Sequence, residues 1–417
     1  MQLNAHIDVD LVAVEQPDEI TVLLEVRAPE SQTDTQRNPA AVQVVLDRSG
    51  SMTGERLDAA KRALIGLVDR LDPTDHFGVV AFDDIAHVVI PAAPVQNKPQ
   101  LKQALATIGP GGSTNLSGGL MRGLQEAKRV VTETGATLLL LSDGHANEGV
   151  IDPDQLGAVA AQARAHGITT STVGIGLDYD ETLLAALAAG GQGGHAFAQD
   201  GDAAAAVVAG EVAGLLSKTV QAASLTIRPA GDVAAITVWN DLPSHAIEGG
   251  VLAELGDLWA GEERKVLLTL AVPAVAELGL AQVASLELTY VALPDLVEQT
   301  ITLPIHVNVV PGDQAAGRIP DPKVHSELLF QRSQQAKRRA AEALNRGDTA
   351  AARAEYQSAA AYLASAAPDD AELAQEAQIL ADLDEHVAAG EASFAAKLSR
   401  MEHAAKGRQR GRHDGSV

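Results

Sequence analysis

The chain has 417 residues, no cysteine and a formal net charge of −24 at pH 7. This length predicts two to three domains, and the missing cysteines exclude disulfides, thiolate nucleophiles and zinc sites with thiolate ligands. The excess of acidic residues argues against nucleic-acid binding, because the phosphate backbone would repel the protein.

The sequence shows no targeting or membrane-spanning segment. Residues 1–8 lack the basic and apolar regions of a secretory signal peptide. The most apolar long stretch, 203–216, is too short to span a membrane and contains Glu211. We therefore expect a cytoplasmic protein, although the missing cysteines fit an extracytoplasmic bacterial protein equally well.

The first segments, 3–14 and 20–28, alternate apolar and polar residues as β-strands do. These segments cannot form a stable unit alone. Several segments within 220–310 alternate in the same way between Gly, Pro and Asp turns, which predicts a β-sandwich. We expect the early strands to complete that sandwich; the alternative is a separate arm packed on the domain that lies between them.

The intervening residues, 39–218, alternate strands with helices, which predicts an α/β doubly wound, Rossmann-like fold with a parallel sheet. Strands are predicted at 41–46, 76–82, 86–90, 136–142, 168–174 and 194–198, and helices at 57–71, 98–107, 117–131, 153–165, 180–189 and 203–217. The predicted domains are 1–38 for the N-terminal strands, 39–218 for the α/β domain inserted in the sandwich, 219–312 for the remaining sandwich and 313–417 for a helical region.

The C-terminal region changes in composition to Ala, Glu, Gln and Arg from residue 325, without strand character. Gly347 and Pro368 interrupt the helical pattern, so we expect two or three long helices. The run 406–412 is basic within an acidic protein. We interpret it as a solvated tail rather than a docking signal.

Three segments rich in oxygen-bearing side chains lie where predicted strands end or a helix begins. Asp47-Arg48-Ser49-Gly50-Ser51 follows the strand at 41–46, Ser142-Asp143-Gly144 ends the strand at 136–142, and Gly112-Ser113-Thr114-Asn115 precedes the helix at 117–131. The ligand crevice of an open α/β sheet lies outside the carboxyl ends of its strands. The two aspartates can therefore converge there, with the threonine loop beside them.

These segments offer two carboxylates and three hydroxyls, from Asp47, Ser49, Ser51, Thr114 and Asp143. An all-oxygen set suits Mg²⁺, Mn²⁺ or Ca²⁺ rather than zinc or copper. The alternatives are ordinary turns, which Ser, Gly and Asp favour, or a phosphate cradle. A P-loop lysine and a GxGxxG after the first strand are both missing, which argues against a nucleotide site.

Together the three motifs resemble the metal-ion-dependent adhesion site of von Willebrand factor type A domains, over residues 39–218. The resemblance implies that Ser49, Ser51 and Thr114 contact the metal, while Asp47 and Asp143 act mostly through bound waters. It also implies that a carboxylate from a protein partner takes the remaining coordination position. The added sandwich and helices resemble bacterial proteins in which a type A domain is joined to a β-sandwich.

Two further groups lie close to these motifs in sequence. Asp83 and Asp84 follow the strand at 76–82 and could form a second metal site, but we favour a solvated turn. His145 could rim the metal site, but we favour a loop histidine without a ligand role.

The predicted function is a metal-dependent protein-binding module or scaffold, without enzymatic activity. The alternative is a metal-dependent hydrolase or phosphotransferase, in which the same cation polarises a phosphoryl oxygen. Such an enzyme needs a general base near the metal, and His145 is the nearby candidate in sequence. The identity of the partner and the oligomeric state do not follow from the sequence.

Overall fold

The computed structural model describes residues 1–30, 37–143, 145–176, 179–198, 201–231, 235–366 and 370–407. Contacts within the chain divide it into two compact units. The α/β unit lies between residues 34 and 217, and the sandwich unit combines the N-terminal residues with those from 218 onward.

The secondary structure follows the predicted order of elements. The strands are β1 Gln2–Ile7, β2 Leu11–Ala13, β3 Asp18–Arg27, β4 Ala41–Asp47, β5 His76–Phe82, β6 Ala86–Pro94, β7 Ala136–Ser142, β8 Ile168–Ile175, β9 Gln192–Ala198, β10 Lys218–Pro229, β11 Ala235–Val238, β12 Ser244–Ile247, β13 Gly250–Trp259, β14 Glu263–Val272, β15 Gly279–Ala292 and β16 Val297–Val310. The helices are α1 Glu55–Arg70, α2 Lys98–Ala106, α3 Leu116–Lys128, α4 Pro153–Arg164, α5 Glu181–Gly190, α6 Gly201–Leu216, α7 Gly312–Ala315, α8 Pro322–Asn345, α9 Thr349–Ala366, α10 Ala371–Ala388 and α11 Ala392–Gly407, with a 3-10 turn at Gly50–Met52.

The α/β unit contains a six-stranded sheet in the order β6-β5-β4-β7-β8-β9. All neighbouring strands are parallel except β6, which runs antiparallel to β5. The central strand β4 is buried on both faces: Val44 and Leu46 share a core with Leu64 of α1, and Val45 shares one with Leu120 of α3. Helices therefore cover both faces of the sheet, which confirms the predicted doubly wound fold.

The sandwich unit contains two sheets, in the orders β1-β3-β14-β11 and β12-β13-β10-β15-β16-β2. One apolar core joins them, with Val22 and Leu24 from the first sheet and Leu225 and Leu286 from the second. Strand β3 lies between β1 and β14, and β2 pairs with β16. Strands from before residue 31 therefore share sheets with strands from after residue 217, as the predicted insertion of the α/β domain requires.

The C-terminal region contains four long helices among the residues that the structure describes, where the sequence pattern predicts two or three. The additional break lies at Gly390, whose positive φ of 87° ends α10. Helix α8 packs on the outer face of the four-stranded sheet, where Val324 joins Leu23 and Leu267. No helix in the described ranges has both the length and the apolar character needed to cross a membrane.

The prediction of a solvated basic tail is wrong for its first residue. The ammonium of Lys406 lies 3.3 Å from a carboxylate oxygen of the buried Glu376 and also pairs with Glu402. Lys406 extends from α11 into the helical bundle because two carboxylates there attract it. The rest of the run, residues 408–412, lies outside the described residues, as does Pro368.

Candidate metal centre

The two aspartates of the sequence motifs lie side by side at the carboxyl edge of the sheet. Asp47 is the last residue of β4, and Asp143 directly follows β7. These strands are parallel neighbours, with Leu46 opposite Leu141. Both aspartate side chains are fully buried. The sheet topology thus brings together two carboxylates that are far apart in the sequence.

A chain of short hydrogen bonds links four of the five candidate ligands. The Ser51 hydroxyl donates to Oδ1 of Asp143 at 2.7 Å, and the hydroxyl oxygens of Ser49 and Ser51 lie 3.1 Å apart. The Ser49 N–H donates to Oδ1 of Asp47 at 2.8 Å. The other oxygen of Asp47 accepts the Ser142 hydroxyl at 2.6 Å. Ser142 belongs to the third sequence motif but is not among the five predicted ligands.

Thr114 belongs to a loop that backbone hydrogen bonds hold against the first motif. The Gly50 N–H donates to the Gly112 carbonyl at 2.9 Å, and the Gly111 N–H donates to the Arg48 carbonyl at 2.6 Å. Thr114 is 4% exposed, and its own N–H donates to the Asn147 side chain at 2.9 Å. Its hydroxyl makes no hydrogen bond with the other four candidates, so this fifth group is close to the cluster but not joined to it.

The electrostatics of the site differ between the two aspartates. Burial raises the pKa of Asp47 to about 6, against the hydrogen bonds from Ser142 and Ser49, and the nearby charge of Asp143 acts in the same direction as burial. Within the described residues no Lys, Arg or His pairs with Asp47. Asp143, in contrast, accepts from Nη1 of Arg56 at 2.7 Å. The cluster therefore contains two carboxylates and one cationic side chain.

This arrangement fits a hard divalent cation. Its donors are carboxylate and hydroxyl oxygens only, which Mg²⁺, Mn²⁺ and Ca²⁺ accept, and a buried carboxylate without a cationic partner favours one more positive charge nearby. No cluster of three or more Asp, Glu, His or Cys occurs in the part of the chain that the structure describes. The five candidate ligands include two carboxylates, and the other three are hydroxyls.

The interpretation of Asp83 as part of a solvated turn is wrong. Its side chain is 9% exposed and lies 2.5 Å from Nη2 of Arg48. A Cβ atom added to Gly111 would lie 2.0 Å from the Asp83 carboxylate. The next residue, Asp84, accepts the Ser113 N–H. This pair of aspartates holds the loop that carries Thr114 in place. In the sequence, the position of the pair directly after β5 and the glycines at 111 and 112 could have indicated this role.

His145 does not join the cluster. Its side chain is 65% exposed, and Nδ1 lies 3.9 Å from Oδ2 of Asp180. It makes no hydrogen bond with any of the five candidate ligands. The preceding motif residue, Gly144, lies outside the described residues.

Comparison with known proteins gives consistent results for sequence and fold. A family model of the von Willebrand factor type A domain matches residues 42–207. An uncharacterized protein of Synechocystis is 32% identical over 246 residues, which cover 56% of this chain and 57% of that protein. The match therefore spans little more than half of that relative.

Two solved structures resemble the chain over almost its whole length. A structure described as von Willebrand factor type A from Catenulispora acidiphila has a TM-score of 0.74 and 18% identity, and the match covers 96% of each chain. The ArnB paralog VWA2 from Sulfolobus acidocaldarius has a TM-score of 0.61 and 16% identity, with 96% of this chain and 97% of that chain covered. At these identities the likeness shows the fold alone.

Proposed function

Given that residues 42–207 are a von Willebrand factor type A domain, we propose that this chain is a metal-dependent protein-binding module or scaffold. Domains of this type are typically interaction modules rather than enzymes. The hydroxyls of Ser49, Ser51 and Thr114 and the carboxylates of Asp47 and Asp143 would hold one Mg²⁺, Mn²⁺ or Ca²⁺. A carboxylate from a partner protein would complete the coordination.

The main support for this proposal is that no positive side chain among the described residues balances the negative charge of Asp47. Its carboxylate is fully buried, its pKa is raised to about 6 by burial, and no cationic side chain among the described residues pairs with it. A divalent cation supplies positive charge and attracts anionic oxygens when bound. Hydroxyls are neutral donors, so Ser49, Ser51 and Thr114 leave much of that attraction for an acidic partner.

The overall charge of the chain restricts which protein surfaces can bind to it. At a net charge of −24 the protein repels acidic proteins at long range. A productive partner therefore carries an exposed Asp or Glu for the metal, surrounded by basic residues. Association with such a partner weakens as ionic strength rises, because salt screens the attraction between oppositely charged surfaces.

No feature of the described geometry favours the hydrolase or phosphotransferase alternative. A general base must reach the reacting group directly or through one water. His145 is exposed and makes no hydrogen bond with the five candidate ligands.

Calorimetric titration with Mg²⁺ tests the metal site directly. Wild-type protein is expected to bind one Mg²⁺, and the double variant Asp47→Ala/Ser49→Ala to bind none. Thr114→Val provides a second test, because it removes one hydroxyl at nearly constant volume, and it should weaken binding at least about tenfold. Asp154→Ala, an exposed acid at the start of α4, is the control. Unchanged affinity in variants whose thermal melting shows intact folding would refute the metal assignment.

Affinity capture tests partner binding. Immobilised wild-type protein is expected to retain a partner in Mg²⁺ and to release it in EDTA, while folded Thr114→Val retains little in either buffer. A partner that remains bound in EDTA would show that the cation does not mediate the contact.

A further inference from the structure

Among the described residues, Arg56 is the cationic side chain that contacts the candidate metal cluster. It is the second residue of α1, and its Nη1 lies 2.7 Å from Oδ2 of Asp143. The other oxygen of Asp143 accepts the Ser51 hydroxyl at 2.7 Å. Both oxygens of this buried carboxylate are therefore engaged, one by a candidate ligand and one by a guanidinium.

The position of Arg56 is set by the fold around it. The guanidinium lies against the backbone at Gly176, just after β8, where an added Cβ would be 3.0 Å from Cζ and Nη2 of Arg56. Its side chain is nevertheless 34% exposed. Arg56 thus contacts the buried carboxylate and is also partly accessible to solvent.

The formal charge of the site depends on both Arg56 and the bound cation. With Asp47 and Asp143 ionised, the cluster and Arg56 carry a formal charge of −1, which a divalent cation changes to +1. Without the arginine the same cluster changes from −2 to neutral. The neighbouring Arg48 and Asp83 neutralise one another and do not alter this count.

From these contacts we infer that Arg56 sets the balance between metal affinity and partner affinity at this site. The inference rests on the proposed function. The guanidinium repels the incoming cation and competes with it for Asp143, so it weakens metal binding. Once the cation is bound, the guanidinium keeps the site positive and can donate hydrogen bonds to a partner carboxylate, so it strengthens partner binding.

The test compares Arg56→Gln with wild type in two measurements. In the first, calorimetry with Mg²⁺, the variant should bind about tenfold more tightly, equivalent to ~1.4 kcal/mol. Arg56→Lys retains the charge and should remain within about threefold of wild type. Arg62→Gln removes an exposed arginine of the same helix and should leave the affinity unchanged.

The second measurement uses acetate as a probe for the partner carboxylate, on protein loaded with Mn²⁺. Acetate that displaces metal-bound water lowers the proton relaxation enhancement of the solvent. In Arg56→Gln, displacement of half of the metal-bound water should need at least about threefold more acetate than in wild type, because the loaded site has lost a positive charge. If Arg56→Gln does not fold, Arg56→Met tests the same loss of charge with an apolar side chain of similar length.

The outcomes separate this inference from the proposed function. Failure of wild-type protein to bind Mg²⁺, or unchanged binding by folded Thr114→Val, would overturn both. Normal wild-type binding that is weakened in Thr114→Val, together with unchanged or weaker Mg²⁺ binding in Arg56→Gln, would overturn only the role of Arg56. Equal acetate sensitivity of wild type and Arg56→Gln would likewise overturn it.

Discussion

Two clusters of buried charged side chains among the described residues differ in how far their charges are balanced. At the sheet edge of the α/β unit, the buried Asp47 and Asp143 lie together, and Arg56 pairs with Asp143 but not with Asp47. In the helical bundle, two carboxylates meet two ammonium groups: Lys337 lies 2.5 Å from Glu376 and 3.3 Å from Glu402, and Lys406 pairs with both acids. Ser333 and Gln334 donate further hydrogen bonds to Glu376.

The pKa values of two similarly buried carboxyls show the consequence. Burial opposes ionisation of Glu376, yet the attraction of Lys337 and Lys406 holds its pKa below the usual value. Burial also opposes ionisation of Asp47, and without a cationic partner its pKa rises to about 6. Burial alone therefore does not identify a binding site. The missing counter-charge distinguishes a cluster that can accept a cation from one that holds helices together.

The largest expected effect comes from separating the units that contain the two clusters. We propose that the predicted domain boundaries allow the α/β domain to fold alone and bind Mg²⁺. A fragment of 37–218 retains Arg37, whose guanidinium pairs with the buried Asp75. Deletion of residues 1–30 removes β1, β2 and β3, which leaves β14 and β16 without these partners and exposes the apolar core, so 31–417 should aggregate.

Solubility, thermal melting and Mg²⁺ calorimetry of both fragments check this expectation. A soluble, cooperatively melting 31–417 beside an unfolded 37–218 would contradict the proposed boundaries. A folded 37–218 fragment that does not bind Mg²⁺ would instead contradict the assignment of the unbalanced cluster as the metal site.

The next largest effect is expected when one positive charge is removed from the buried cluster of the helical bundle. Lys337→Met leaves Glu376 buried with only Lys406 as its cation, and should lower the free energy of unfolding by about 3 kcal/mol. Urea unfolding followed by tryptophan fluorescence reports on this unit, because Trp239 and Trp259, the two tryptophans of the chain, belong to it. Lys337→Met/Glu376→Gln should recover most of the loss. If Lys337→Met lowers the free energy of unfolding by less than about 1 kcal/mol, the balance of charges in this cluster does not contribute to stability.

Acid should weaken the same cluster to a smaller extent. Because the pKa of Glu376 is lowered from 4.5 in the folded protein, its contribution to stability is present above that value and is lost as the pH falls below it. Each proton taken up changes stability by at most about 1.4 kcal/mol per pH unit. Urea midpoints between pH 7 and pH 3 should fall more steeply for wild type than for Lys337→Met/Glu376→Gln. Parallel curves would show that Glu376 does not contribute to the loss of stability in acid.

The smallest expected effect concerns the loop that positions Thr114. The Cβ of Gly111→Ala would collide with Asp83, whose carboxylate Arg48 holds in place, so the loop must move. Mg²⁺ affinity should fall about tenfold, or ~1.4 kcal/mol. Gly109→Ala is the matched control, because its Cβ would meet no atom within 4 Å. Equal affinities in the two variants would show that the position of this loop does not affect the cluster.

The sequence determined the order of elements and the residues that could bind a metal. Alternating strands and helices predicted the doubly wound sheet, and Asp47, Ser49, Ser51, Thr114 and Asp143 stood out because strand ends and helix starts are local features of the chain. The same local reasoning missed the fourth long helix, which depends on a single glycine at 390.

The tertiary structure alone decided which charges meet. Arg56 and Asp143 are 87 residues apart, and Ser142 and Asp47 are 95 apart, yet each pair lies within hydrogen-bonding distance. It also placed Asp83 against Gly111 and drew Lys406 into the bundle. The physical reason is that the strength of a charge interaction depends on distance in space and on burial, and both follow from strand order and helix packing.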